Sequence, residues 1–183
     1  MVATREAAVE VDEVCAELDR VRDDYHRLFE SATVAELRQP TDGTKWNNEQ
    51  LLFHMLFGYL LVRNLRLIVW GFSRLPDGAS KRFSGVLDAG TRPFHVINYV
   101  GSLFGARVLS YPRMERLMDR AVVGLQGSLP AQSDEAPACG MHFPVGWDPS
   151  FRDFMTLLEV YHYPTPHYDH HRAQLTLGSA RQG

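Results

Sequence analysis

Apolar residues recur along much of this chain at steps of three and four, and the places where that rhythm stops divide it into segments. Val11, Val14, Leu18, Val21, Tyr25, Leu28 and Ala32 share one face of a helix predicted from Thr4 to about Ala32, with Glu, Asp and Arg between them on a wet face. Gln39, Pro40, Thr41, Asp42 and Gly43 form a polar turn that ends this helix and a short continuation of it. A second helix opens at Asn47, whose amide can cap it, with Gln50 in the capping-box position. From Leu51 to Val62 the chain reads LLFHMLFGYLLV, apolar on every side apart from His54, which belongs in the middle of a bundle. Arg63, Asn64 and Arg66 interrupt this run well short of the roughly 20 residues a bilayer needs, so it is not read as a membrane span.

Between Gly71 and Arg92 the Gly, Ser and Asp-rich stretch FSRLPDGASKRFSGVLDAGTR reads as a long loop over the bundle end. Helix signals resume at Pro93 and run through Leu109 to Pro112, which either kinks the helix or starts a new one capped by Ser110; Met114, Leu117, Met118, Ala121 and Leu125 continue the stripe. Gly101 and Gly105 permit a close helix crossing. A second polar loop covers Leu129 to Gly146. Asp148 and Pro149 then read as an N-cap and first helical position, with Phe151, Phe154, Met155 and Leu158 as the buried stripe of that helix. Pro164 and Pro166 lack an N–H, so a break is predicted near Tyr163, before a last helical segment, Thr165 to Leu177, with Thr165 as its N-cap. The expected fold is all-α, one domain over residues 1–183: four long helical elements, two of them interrupted, with long end loops.

Composition narrows the function classes. A chain of 183 residues, 45% hydrophobic, can fill one core. Its net charge of −3, with acids and bases interspersed, leaves no basic footprint for nucleic acid and no polybasic stretch for anionic lipid. Cys15 and Cys139 are too few and too far apart for a disulfide framework or a zinc knuckle. The first residues carry acids and no apolar core of a secretory signal, so a cytoplasmic location is expected.

The candidate chemistry lies in the histidines. His167 and His171, four positions apart in TPHYDHHRAQL, return to nearly the same azimuth of a helix with Cβ atoms about 6 Å apart, close enough to share one ion at a metal–nitrogen distance of roughly 2.1 Å. His54 is placed by its sequence in an apolar interior, where an imidazole must find a partner; a backbone carbonyl or a tyrosine would serve, and so would a metal shared with His167 and His171. Rival metal motifs fail on ligand count: only Glu159 and His162 fit one half of a carboxylate-bridged di-metal pattern, and there is no His-Glu-x-x-His. Three neutral imidazoles suit zinc, nickel, iron or cobalt and leave at least one coordination position open, as catalytic sites do. A general base is hard to find. Asp169 falls about 200° round the helix from His167, Gln174 stays near the ligand face but is no base, and Glu159 and Tyr163 reach the site only from across the break. His95 reads as a surface residue, and a bundle whose histidines merely pack is the non-enzymatic alternative.

Trp46, the capped helix carrying His54 inside LLFHMLF, the Trp147-Asp148-Pro149 helix start and the C-terminal HYDHHRAQL together resemble the DinB-like (YfiT-like) metalloenzymes over roughly Val9 to Gly178. The resemblance implies an up-down-down-up four-helix bundle in which His54, His167 and His171 ligate a divalent metal, with His170 as a neighbouring histidine. It also implies a small-thiol-dependent chemistry, since DinB-like relatives include low-molecular-weight-thiol S-transferases and a thiol-dependent maleylpyruvate isomerase. The function expected is a metal-dependent transferase or isomerase using a thiol of the mycothiol type, acting on a small electrophile under the two end loops; metal-dependent hydrolysis is the alternative. Arg82 and Arg92 are candidate anion contacts there. Bundles of this family often pair, and Tyr25 and Phe29 of the first helix are free in this reading to serve either the core or a partner, so a homodimer is expected.

Overall fold

The computed structural model describes residues 2–132 and 139–178. Eight helices are found there: α1 (Val2–Ser31), α2 (Val34–Leu37), α3 (Asn48–Phe72), α4 (Asp77–Ala89), α5 (Thr91–Val108), α6 (Tyr111–Gln132), α7 (Leu157–His162) and α8 (Pro164–Arg172). The fold is all-α apart from one antiparallel ribbon, β1 (Gly140–His142) with β2 (Phe154–Thr156), in which Met141 faces Met155. Three helix starts are closed by reciprocal capping boxes, Thr33 with Glu36, Asn47 with Gln50 and Thr156 with Glu159, each satisfying backbone N–H groups that the first turn leaves free.

Neighbouring helices close a four-membered ring. α1 packs on α6 and on the α7–α8 pair, and α3 packs on α6, α7 and α8 from the other side. The predicted stripe of α1 supplies Val11, Val14, Leu18, Val21, Tyr25 and Leu28 to the core, and Leu51, Leu52, Met55, Leu56, Tyr59 and Val62 of α3 meet them. α5 lies outside this ring against α3, and α4 bridges α5 and β1. By length and composition α3, with a mean hydropathy of 1.4, is apolar enough to cross a membrane, but half of that stretch is buried inside the bundle.

Several expectations are corrected. The stretch from Gly71 to Arg92 is not a loop: residues 77–89 are helical, and α5 begins at Thr91. Two of the positions that α4 buries are serines, Ser80 and Ser84, beside the half-buried Phe83 and Leu87, so its inward face lacks the apolar rhythm that marks the other helices. Asp148 and Pro149 do not start a helix. Asp148 closes a turn, accepting the Ser150 N–H on its carboxylate at 2.8 Å, and Phe154 to Thr156 form β2 before α7 begins behind the Thr156 cap. Between Leu129 and Gly146, α6 runs on to Gln132 and β1 occupies 140–142. The break at Tyr163 is present, but α8 starts at Pro164, with Thr165 buried inside it rather than capping it. Gly105 takes the Phe53 ring against its backbone, whereas Gly101 faces open space and permits no crossing. Tyr25 is fully buried in the core, and half-buried Phe29 packs against it and stacks on Tyr111.

α7 and α8 are tied to α1 by a row of polar side chains spaced about one turn apart along α1. Glu17 pairs with His162, Arg20 holds Asp169 through two bonds of 3.0 and 2.8 Å, and Asp24 accepts both the Tyr168 hydroxyl and the Arg172 Nε–H at 2.9 Å. The Arg20 pair is exposed and contributes little. Asp24 is half-buried and serves a Tyr168 that is wholly buried, so its loss strands a buried hydroxyl. Burial opposes the charge on Asp24, yet the Tyr168 and Arg172 hydrogen bonds outweigh it and hold the carboxyl below its ordinary value. A carboxylate so depressed contributes stability above its unfolded pKa and loses it as pH falls through the folded one. Asp24→Asn is therefore expected to remove about 2 kcal/mol at neutral pH, lowering Tm by about 4–8 °C. As pH falls through the folded-state value of Asp24 the two proteins should converge, while Asp169→Asn shifts Tm little; thermal melts across pH check both.

Candidate metal centre

The three histidines singled out by the sequence meet. His54 comes from the second turn of α3, and His167 and His171 from successive turns of α8, with ring centroids 5.1 Å (His54 to His167), 4.8 Å (His54 to His171) and 4.7 Å (His167 to His171) apart. Their available nitrogens lie within 4.8 Å of one another. His54 and His167 are buried and His171 is partly so. His170 and His95 are exposed, and Arg82 and Arg92 are also exposed.

Each imidazole is oriented by a partner at Nδ1. His167 donates to Asp148 Oδ2 at 2.8 Å, and His171 donates to Gln174 Oε1 at 2.7 Å. The Ser102 hydroxyl donates its proton to the Asn98 carbonyl at 2.9 Å, so toward His54 Nδ1, 3.4 Å away, it acts as an acceptor. His167 and His171 thus turn Nδ1–H to their acceptors and present Nε2 to the space between the rings. On His167 that Nε2 is buried and has no hydrogen-bond partner. A buried, unpaired nitrogen costs about 1–3 kcal/mol, and a metal ion shared by the three lone pairs would remove that cost. The arrangement is the one in which metal-bound histidines donate their second N–H to a carboxylate or carbonyl oxygen.

Packing fixes the same geometry. Trp46 stacks on His54 with centroids 4.5 Å apart. Gly58, one turn after His54, stands where a Cβ would come within 3.1 Å of His167 Cδ2. A glycine inside a helix costs about 1 kcal/mol relative to alanine, and here its bare backbone is what lets the His167 ring lie against α3. Burial, reinforced by the neighbouring His167 and His171, pushes His54 down to about 3, and burial with His167 pushes His171 down to about 4. Both are therefore neutral at physiological pH, the form that ligates metal.

Two of the residues that support this geometry escape sequence reasoning. Burial opposes a charge on Asp148, but its bonds to His167, the Ser150 N–H and the Tyr163 hydroxyl hold its carboxyl far below the ordinary range. It lies 19 residues from its histidine, and no spacing rule joins them. Gly58 likewise reads only as a blemish in an apolar helix. Gln174, by contrast, falls where its spacing from His171 puts it, and Tyr163 reaches the site through Asp148. Glu159 does not reach it: it pairs with Arg152 and accepts the Thr156 N–H. Asp169 points away, to Arg20.

A model of the DinB superfamily matches residues 17–175 of the chain. A search of curated proteins found no match, and a search of solved structures found none.

Three measurements follow from this geometry. Asp148→Asn keeps the shape but weakens the acceptor at His167, and metal affinity is expected to fall about 10–100-fold, read by competition with a chromogenic chelator. Gly58→Ala should lower affinity while leaving helix content intact; equal affinity in both variants and wild type would show that neither residue positions His167. In metal-free protein, the unfolded chain protonates His54 and His171 near pH 6.5 while the folded chain resists until about 3 and about 4. The unfolded state thus binds more protons in that window, so Tm should fall as pH drops from 6.5 toward 4, and His54→Ala should flatten the dependence.

Proposed function

The chain belongs to the DinB superfamily, and from that premise we propose that His54, His167 and His171 hold one divalent ion, zinc, nickel or iron, in an enzyme that joins a small thiol of the mycothiol type to an electrophile or isomerises one. The observation that carries the metal reading is the convergence of three lone pairs around the buried, unpaired Nε2 of His167. Three nitrogen ligands leave a coordination position for a reactant. When bound, such an ion supplies the positive charge that keeps a thiol as thiolate at neutral pH.

The choice of a thiol over water rests on what the chain's own carboxylates are doing. A hydrolase needs a base beside the attacking water. Asp148 is held by His167, Ser150 and Tyr163, Glu159 by Arg152 and its cap, and Asp169 by Arg20. Among the described residues, Asp148 is the carboxylate bound to the cluster, and it faces the protonated side of His167 rather than the side where a reactant would sit. Its role is to orient the ring. A thiol, with an ordinary pKa of about 8.5, needs far less help than water to lose its proton. Buried Tyr163 and half-buried Trp46 pack against the cluster and reduce its contact with water, which strengthens the electrostatics within it.

Metal-loaded protein is expected to conjugate a model thiol to an electrophile such as chlorodinitrobenzene or an α,β-unsaturated acid, and to lose that activity in His54→Ala and His171→Ala. Ester and amide hydrolysis run in parallel without thiol provides the contrast. Thiol-independent hydrolysis that vanishes in the histidine variants would overturn the transferase reading in favour of a hydrolase. Absence of stoichiometric metal in untagged wild type after exposure to zinc and nickel would overturn the metal centre itself and leave a bundle whose histidines pack.

A further inference from the structure

Beside the histidine cluster lies a second space of different character. A cavity of about 220 Å³ is lined by Leu65 and Ile68 of α3, Phe83 and Leu87 of α4, and Met141 and Phe143 on the ribbon side. No charged or hydroxyl side chain lines it. A smaller space of about 20 Å³ sits against His54, Asp148 and His167, and Leu61, Trp147 and Phe151 line both. The two compartments therefore adjoin, with Trp147 at their boundary. That indole is fixed: its N–H donates to the Leu87 carbonyl at 3.0 Å, and its face stacks on Phe94 with centroids 3.8 Å apart and planes 10° from parallel.

A cavity walled by aliphatic and aromatic groups gives water no partners, whereas an engineered one of about 150 Å³ takes up benzene. An empty void also forfeits the dispersion contacts of its lining. We infer that this cavity seats the apolar part of the substrate: a substituted aromatic ring or an alkyl group of about six to nine carbons, scaled from benzene in the smaller cavity. The reactive end then lies past Leu61 and Trp147, toward His54 and His167. The exposed side chain of Ile68 leaves one wall in reach of solvent, where such a group can enter. The polar thiol has no place in this compartment, so the cavity belongs to the electrophile. The link to the histidines rests on the metal reading above; the affinity of the cavity for apolar molecules does not.

Two sets of probes separate these. In metal-free protein, toluene and naphthalene are titrated and followed by methyl NMR shifts and Tm. Both are expected to bind wild type and to lose at least tenfold in affinity in Leu65→Trp and in Leu87→Trp, which fill the space; circular dichroism identifies a variant that has not folded, and the other then decides. No binding to wild type overturns the inference. In zinc-loaded protein, a series from acetohydroxamate to octanohydroxamate presents one metal-binding head with tails of increasing length. Affinity is expected to rise about fourfold per methylene until the tail fills the cavity, and that rise should disappear in the filled variants while acetohydroxamate binds as before. A flat series in protein that binds acetohydroxamate overturns the cavity as a substrate seat and leaves the metal centre standing. Uptake of toluene without any uptake of zinc overturns the link to the histidines and the proposed function together.

Discussion

The constraint on which the structure depends is the burial of imidazole in an apolar helix layer. His54 and His167 are almost entirely removed from water, and an imidazole so placed needs both ring nitrogens answered or stability is lost. The protein answers one nitrogen of each ring with a side chain and aims the other at a common point. Asp148, Gln174 and Ser102 come from three different stretches, and each must arrive with an acceptor facing Nδ1. Desolvation, reinforced by the neighbouring rings, keeps His54 and His171 neutral at physiological pH. The same burial that makes the unpaired Nε2 of His167 costly would strengthen its bond to a cation.

A second set of polar contacts holds α8 and its following turn beside this cluster. Asp24 reaches Tyr168 and Arg172 from α1. Beyond α8, the Asp42 N–H donates to the Gln174 carbonyl at 2.9 Å, and buried Asn48 exchanges bonds with Thr176 at 2.9 and 3.0 Å. Gln174 is therefore fixed from its backbone, and its amide oxygen is delivered to His171 rather than left to find it. Asn48 belongs to the first turn of α3, the helix that carries His54, so one turn sets the start of that helix and the position of the third histidine's partner.

How much of this was legible follows from which contacts are local. The stripes of α1 and α6, the Asn47 cap and the apolar run around His54 are written in spacings of three and four, and the structure keeps them. The i,i+4 relation of His167 and His171 is equally local, and His54 was visible as a polar residue in an apolar run. α4 was not legible because buried serines interrupt its stripe, and the Asp148-Pro149 cap signal was real chemistry put to another use: the carboxylate closes a turn with Ser150 and then bonds a histidine on another element. A helix-start signature and a histidine-orienting carboxylate draw on the same property, a short side chain with two acceptor oxygens. Only the tertiary fold decides between them.

The elements that sequence reading missed, α4 and the ribbon, are those that line the apolar cavity, and there is a physical reason. A bundle core is selected for close packing, and periodic apolar patterns encode that. The segment from Met141 to Phe151, with α4 beside it, is built to leave space: its aromatics line a void instead of filling one, and Trp147 is held by a backbone carbonyl and a stacking partner rather than by interdigitation. Such surfaces need rigid rings at particular positions but no regular period. The ring of helices thus fixes where the three imidazoles meet, while the irregular segment beside it walls the adjoining cavity with aromatic and aliphatic side chains.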